Sequence, residues 1–303
     1  MYPRYLPLYQ NGILSKRVEE SDHILESCKL CPRSCQVNRL KEERGFCKSG
    51  KNPIVASWNP HFGEEPPISG YLGSGTIFFT NCTLSCCFCQ NYPLSQLGEG
   101  NEETEDSLSR MMLRLQEKGC HNINFVTPTH FVPQILKGLL SAIPQGLKIP
   151  LVYNTSGYEA IETLKLLDGI VDIYMPDLKY GDDQGGRIYS KVPDYFSKIK
   201  IALKEMHRQV GNLELDREGI AKKGLLIRHL ILPKDLAKSE NVLNFIAKEV
   251  SPDTYISLMA QYFPANRAPE IPELNRRITR EEYQKVLNLA KSLSLKNILH
   301  QQI

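Results

Sequence analysis

From residue 76 onward the chain alternates short apolar runs with amphipathic segments, and this restricts the fold more than any other feature. The apolar runs are Thr76–Phe79, Ile123–Val126, Leu151–Tyr153, Asp172–Met175, Leu225–Leu232 and Tyr255–Met259. Helical patterns follow them near 104–118, 131–143, 158–167, 194–209, 239–250 and 280–292. In the first of these, Leu108, Met111, Met112 and Leu115 share one helical face. Six strand–helix pairs in series predict a parallel sheet with right-handed crossovers. An open six-stranded barrel and a doubly wound sheet both satisfy that pattern.

Polar residues collect just after the expected strand ends: Thr127-Pro128-Thr129-His130, Asn154-Thr155-Ser156-Gly157, Asp177-Leu178-Lys179, Arg228-His229 and Gln261-Tyr262. Taken singly, each has an ordinary explanation. Threonine and serine cap helices, and Asp177 with Lys179 reads as a rim ion pair worth little. Their common placement is what favours a site, because the C-terminal rim of an α/β barrel is where such folds do chemistry.

The cysteines sharpen this. Of nine, four stand at 28, 31, 35 and 47, four at 82, 86, 87 and 89, and one at 120. Cys82, Cys86 and Cys89 have the spacing C-x3-C-x2-C directly after the first strand, with Phe88 before the last. Three thiolates on one loop can hold three corners of a cubane iron–sulfur cluster, where an electron-transfer cluster uses four. The remaining iron is then open to a substrate. Cys87 is a poor fourth ligand, since adjacent thiols do not readily reach separate corners of one cubane. Cys120, after Gly119, reads as a small buried apolar residue. Upstream, Cys28, Cys31, Cys35 and Cys47 lie in a loop-rich stretch too poor in apolar residues to fold without a staple. A metal on four thiolates would supply one, and both zinc and an auxiliary iron–sulfur cluster are open.

At 303 residues, 41% hydrophobic and 23% charged, the chain has the make-up of a globular protein with a sizeable core. A net charge of +3 is too mild to imply nucleic acid. No apolar run approaches the roughly 20 residues of a membrane span, and the N-terminus lacks a signal-peptide core. A cytoplasmic location is expected, where clustered cysteines bind metal more often than they pair. The organisation expected is an N-terminal helix and cysteine-rich segment over 1–53, a connecting stretch or short hairpin over 54–75, and the core over 76–303. Leu14, Val18, Ile24 and Leu25 mark the helix, near 13–27. Glu64 and Glu65, adjacent acids in a Pro-rich loop, read as solvated.

Cys82-x3-Cys86-x-Phe88-Cys89 resembles the cluster loop of the radical S-adenosylmethionine (SAM) superfamily. Gln90-Asn91-Tyr92 and Asp177-Leu178-Lys179 are similar to the subgroup related to pyruvate formate-lyase activating enzyme. The resemblance spans roughly residues 76–262. It implies an α/β fold, an open partial (βα)6 TIM-like barrel with a small cysteine-rich N-terminal segment. It also implies a [4Fe–4S] cluster on Cys82, Cys86 and Cys89, with SAM chelating the fourth iron. Reductive cleavage of SAM to a 5′-deoxyadenosyl radical and hydrogen abstraction from a substrate would follow. The same resemblance implies an electron donor such as flavodoxin or ferredoxin, and a protein glycine as substrate. Phe88 would then pack near the adenine and Asn91 contact the ribose. Asp177 and Lys179 carry charges suited to the amino acid and the ribose hydroxyls, while Ser156, His229 and Gln261 add further contacts. In place of the family's Gly-Gly-Glu-Pro-like turn stands Thr127–Pro133, where Thr127, Thr129 or freed backbone carbonyls are candidates to substitute. Thr129 and His130 are expected in the SAM site. Two other readings stand beside this one: a radical SAM maturase acting on a small molecule or peptide, and a non-enzymatic iron–sulfur electron carrier or zinc-stabilised binding module. The last predicts a fourth cluster ligand and no use for the rim.

Overall fold

The computed structural model describes residues 3–301. Its strands are β1 Ile54–His61, β2 Ser74–Phe79, β3 Asn101–Glu102, β4 Ile123–Val126, β5 Leu151–Thr155, β6 Ile173–Pro176, β7 Glu214–Leu215, β8 Ala221–Leu230, β9 Tyr255–Met259 and β10 Asn297–His300. Within the sheet the order is β10-β9-β8-β6-β5-β4-β2-β1-β3, with β7 paired to β8 outside that path. Strands β2, β4, β5, β6, β8, β9 and β10 run parallel, whereas β1 lies antiparallel on β2 and β3 on β1. The outer strands β3 and β10 do not pair with one another, so the barrel is open. The α/β architecture expected from the alternation is present, and the stretch after residue 53 contributes the first strand of the sheet.

Side-chain parity explains how one sheet carries two cores. Strand β5 is buried along its whole length, as parallel strands covered on both faces are. Its residues nevertheless divide by turn about. Leu151 and Tyr153 join the large cluster under the helices. Val152 instead meets Ile173, Met175, Leu226 and Ile68 in a smaller cluster on the inner face. Ile68 comes from the short helix Pro66–Ser69, which closes that end of the barrel. Continuing the inward parity toward the strand ends gives Asn154, Asp177 and Arg228, and this is how apolar strands deliver polar groups to one rim.

The helices follow their apolar stripes. Glu105–Glu117 is capped by Thr104, whose hydroxyl accepts from Ser107 N–H, and buries Leu108, Met111, Met112 and Leu115. It packs on Val132–Ala142 at Gly138, where an added Cβ would come within 3.0 Å of Leu108 Cβ. Ile13–Glu26 covers that second helix in turn, with Leu14, Val18 and Leu25 in the same core as the sheet. The N-terminal segment is therefore packed onto the barrel. Arg39 is 1% exposed and donates to Gly50 O at 2.9 and 2.6 Å and to His130 O at 2.5 Å. Thr163 adds a hydrogen bond to Leu30 O at 2.9 Å.

Beneath the cysteine loop, Phe79 lies 6.3 Å from Phe125 and 5.3 Å from Phe131 between ring centroids. Buried aromatics of this kind cost about 3–5 kcal/mol when truncated. Phe79→Ala should therefore lower the unfolding free energy by about 3–5 kcal/mol in a denaturant titration, with the slope unchanged; a loss below about 1 kcal/mol would show that these rings do not carry the base of the site.

Candidate active site

The main chain leaves β2 and turns at Asn81, whose φ of 65° is left-handed, a conformation asparagine tolerates better than most residues. The loop from 82 to 89 then brings three thiols to the rim, with Cys86 buried and Cys82 and Cys89 half-buried. Each sulfur has a polar hydrogen beside it. Leu84 N–H donates to Cys82 Sγ at 3.3 Å, the Ser190 hydroxyl donates to Cys86 Sγ at 2.9 Å, and Ser95 Oγ lies 3.2 Å from Cys89 Sγ. Such contacts steady thiolates that bind a metal and tune the cluster they hold. Burial pushes the Cys82 thiol up to about 12, and pushes Cys86 up to about 11 against the pull of Lys179. Ionised sulfur is favoured here only beside a metal cation. Cys87 is fastened through its main chain instead: its N–H donates to Tyr189 O at 2.7 Å and its carbonyl accepts from Arg267 N–H at 2.8 Å.

A cavity of about 230 Å³ opens over the three thiols. Of the residues expected to contact SAM, it gathers Phe88, Asn91, Ser156, Asp177, Lys179 and Gln261. Ser156 Oγ is buried without a hydrogen-bond partner, so a polar group entering the cavity would meet an unsatisfied hydroxyl. Three thiols with donors and an orphaned hydroxyl in one cavity suit a cluster with a polar ligand bound to it.

Arg228 dominates the floor. Nε donates to Asp177 Oδ1 at 2.8 Å, Nη2 to Asn154 Oδ1 at 2.6 Å and Nη1 to Glu64 Oε2 at 3.1 Å. Lys179 Nζ donates to the other Asp177 oxygen at 2.6 Å. Glu64 Oε1 in turn accepts from Asn124 and Asn154 at 3.1 and 3.2 Å. Burial disfavours the Asp177 charge, but Arg228 and Lys179 outweigh it and hold that carboxyl below the usual range. The pair anticipated at Asp177 and Lys179 is thus part of a larger buried array.

Three expected SAM contacts lie elsewhere. The Thr129 hydroxyl donates to Glu159 Oε1 at 2.6 Å, in a buried group that includes Thr155 and Tyr153. His130 is 2% exposed and faces Thr80 O at 2.8 Å. His229 is held between Leu178 O at 2.7 Å and Ser239 Oγ at 2.9 Å. The reason for His229 is parity: Arg228 takes the inward position, so its neighbour faces the helices. For the other two it is the turn. Thr127 adopts φ 59° and itself lines the cavity with Val126, after which the chain swings away into the helix Val132–Ala142. Thr127 thus stands where a glycine-like backbone is required, a departure visible only in three dimensions. Thr127, offered by the sequence as a substitute for the family's turn, does line the cavity, whereas Glu64, Asn154 and Arg228 were not named as individual ligands; the signals available were the polar residues at the strand ends and an acidic pair in a Pro-rich loop.

At the N-terminal cysteines, burial is the main cause raising the Cys31 thiol, and Cys47, Cys28 and Cys35 all add to it, so the four are neighbours. Ser34 and Gln36 take left-handed φ values between them, and Lys48 does so directly after the last. Gly45 has no room for a side chain, since a Cβ there would fall 2.8 Å from Cys35 Sγ. Among the described residues no group of three or more His, Cys, Asp or Glu is set to hold a single ion; a cubane is wider than an ion and spaces its ligands further apart. Arg33 links this segment to the rim, with Nε donating to Thr83 O and Nη2 to Lys191 O, both at 2.6 Å.

Residues 76–215 match the family model of the radical SAM superfamily. The uncharacterized protein MJ0674 of Methanocaldococcus jannaschii is 33% identical over 293 residues, covering 94% of this chain and 80% of that protein. The chain belongs to the radical SAM superfamily. It is accordingly a radical SAM enzyme, with a [4Fe–4S] cluster and SAM as cofactors. Streptococcus suis SuiB, solved with its precursor peptide SuiA, superposes with a TM-score of 0.50 at 11% identity, over 74% of this chain and 47% of SuiB. The chain thus spans about half the length of SuiB, and the likeness is one of fold. An archaeal TYW1 aligns over 73% of this chain at 13% identity with a TM-score of 0.40. For this radical SAM enzyme, no helix among the described residues is long and apolar enough to cross a membrane.

The two buried histidines make acid stability a test of their placement. Burial lowers His130 to about 3 and His229 to about 4, whereas unfolded histidine titrates near 6.5. Below about pH 6.5 the unfolded state takes up protons that the folded state refuses, so stability falls toward those folded values, by up to about 1.4 kcal/mol per pH unit for each histidine. Denaturant midpoints at pH 7 and pH 5 should show a smaller acid loss in His130→Gln than in the wild type. Equal losses would place His130 in contact with solvent.

Proposed function

We propose that this radical SAM enzyme modifies a peptide or small molecule bearing a charged group, rather than a glycine in a folded partner. The observation that carries the reading is the continuity of the site. The thiol loop and the Asp177–Arg228–Glu64 array share one inner face of the barrel, and charged side chains continue from the SAM cavity into the space beyond it. A glycine brings no polar side chain to that space, where the buried Glu65 Oε2 has no hydrogen-bond partner, and an acceptor left unmet is costly. The glycine-directed alternative rests on Gln90-Asn91-Tyr92 and Asp177-Leu178-Lys179, the segments that resemble the activase subgroup.

Cys82, Cys86 and Cys89 would hold the [4Fe–4S] cluster, which with SAM bound supplies the 5′-deoxyadenosyl radical. What remains belongs to the protein. Phe88, set edge-on between Tyr180 and Tyr262 at 6.3 and 5.9 Å between centroids, offers a rigid apolar surface to a nucleoside. Asn91, Ser156 and Gln261 supply polar contacts, and Asp177 with Lys179 meets the charges of an amino acid. Fixing both partners in one cavity supplies orientation and excludes water. Electrons come from a one-electron donor of the flavodoxin or ferredoxin kind, and the setting is the cytoplasm.

Cys28, Cys31, Cys35 and Cys47 hold a second metal centre in this reading; with no single-ion group among the described residues, an auxiliary iron–sulfur cluster is favoured and one zinc is the alternative. Their proximity and their direct tether to the cluster loop support it.

After anaerobic reconstitution and reduction with SAM, 5′-deoxyadenosine should form in the wild type and in Cys87→Ala. It should vanish in Cys82→Ala, Cys86→Ala and Cys89→Ala. A fully loaded cluster that leaves SAM intact would sink the reading. Metal analysis of Cys31→Ala should show the loss of either one zinc or a cluster's complement of iron while the radical cluster's absorbance is retained; unchanged metal content would remove the second site.

A further inference from the structure

Beyond the SAM cavity lies a second chamber of about 370 Å³, within the size range of small-ligand pockets. Arg228, Met259 and Gln261 line both spaces, so the two adjoin. The chamber is bounded by the loop after β1 and by the ends of β8, β9 and β10. Part of its wall is apolar, from Pro66, Ile298 and Leu299.

The chamber is lined by Glu64, Glu65, Arg228 and His300, while Asp177 and Lys179 line the adjoining cavity. Burial pushes the Glu65 carboxyl up from its ordinary range, with Arg228 opposing that shift only in part. Two of the carboxylates are fully used: Asp177 by Arg228 and Lys179, and Glu64 by Arg228, Asn124 and Asn154. Glu65 is different. Its side chain is 9% exposed, and its Oε2 is buried with no hydrogen-bond partner. The nearest cationic atom, Arg228 Nη1, is 4.0 Å away and already donates to Glu64. An acceptor left unmet in a buried site costs free energy that a ligand donor would recover.

We propose that this chamber binds the substrate's alkylammonium group, with Glu65 as its counter-ion and the apolar wall along its carbon chain. The ammonium brings three N–H donors for the unmet Glu65 oxygen and a positive charge that would hold that carboxyl ionised. The chain behind it would rest on Ile298 and Leu299, while Arg228, held by three partners, separates this amine from the SAM cavity next door. The inference rests on the function proposed above and narrows its substrate class to aliphatic amines, either a lysine side chain in a peptide or a free amine.

The test is binding, measured by ligand-observed NMR and calorimetry on the reconstituted holoenzyme with SAM present. Butylamine should bind at least tenfold more tightly than 1-butanol, which has similar shape and no charge. Glu65→Gln should erase that preference while leaving the Kd for SAM and the yield of 5′-deoxyadenosine within twofold of the wild type. The peptide Gly-Lys-Gly binding more tightly than butylamine would assign the amine to a peptide; binding equal to or weaker than butylamine would assign it to a small molecule. Equal affinity for butylamine and 1-butanol overturns the proposal, and does so on the wild type even if Glu65→Gln does not fold. A Glu65→Gln change that weakens SAM itself also overturns it, by moving Glu65 into the cofactor site. Failure of the function proposed above would look different, as a loaded cluster that never cleaves SAM.

Discussion

The Arg228 guanidinium is the point on which the site depends. It ties the end of β8 to residues following β6, on β5 and in the loop after β1, and it does so inside the barrel. A buried cation is tolerated only when its donors are all met and opposing charge is at hand, and here Asp177, Asn154 and Glu64 do both. Their hydrogen bonds set where the inner wall of the SAM cavity stands and where the neighbouring chamber begins. Removing Arg228 would take from Asp177 and Glu64 the cation they share, leaving Lys179 on one and only the two asparagine amides on the other, so loss of activity in such a variant would report disruption of the array before it reported chemistry.

The three thiols add a complementary constraint. Buried sulfur resists ionisation, yet iron needs the thiolate, and the loop meets this with one polar hydrogen per sulfur from Leu84, Ser190 and Ser95. Two of those donors come from outside the cysteine segment. Cluster binding is consequently a property of the assembled rim, to which the helix ending at Ser190 contributes as well as the loop.

Much of this could be read from the chain before any coordinates. The strand–helix alternation carried the parallel sheet, because buried parallel strands are nearly continuous apolar runs and declare themselves. The cysteine loop carried the cluster, because its spacing is restrictive. What stayed hidden depended on direction. Arg228 and His229 are equally polar neighbours, and only the sheet's parity decides which of them turns inward. Thr129 and His130 follow a strand end as Ser156 does, but a left-handed residue at Thr127 redirects the chain before they can reach the cavity. Glu64 and Glu65 looked solvated because nothing local betrays that β1 pairs with β2 and lays its following loop across the barrel mouth. Strand β10 carried too short an apolar run to stand out beside a charged helix.

The Arg33 tether has a consequence for how the two cysteine groups fill with metal. Arg33 joins the N-terminal segment to Thr83, inside the cluster loop, and to Lys191, next to the serine that serves Cys86. Order gained at one end lowers the conformational cost of ordering the other, and such coupling is reciprocal. If the N-terminal cysteines hold the second metal proposed above, occupancy of the two sites would be cooperative, a chain that has acquired one becoming the better acceptor for the next. Under scarce iron the population would then divide into fully loaded and empty chains, with few half-filled ones between.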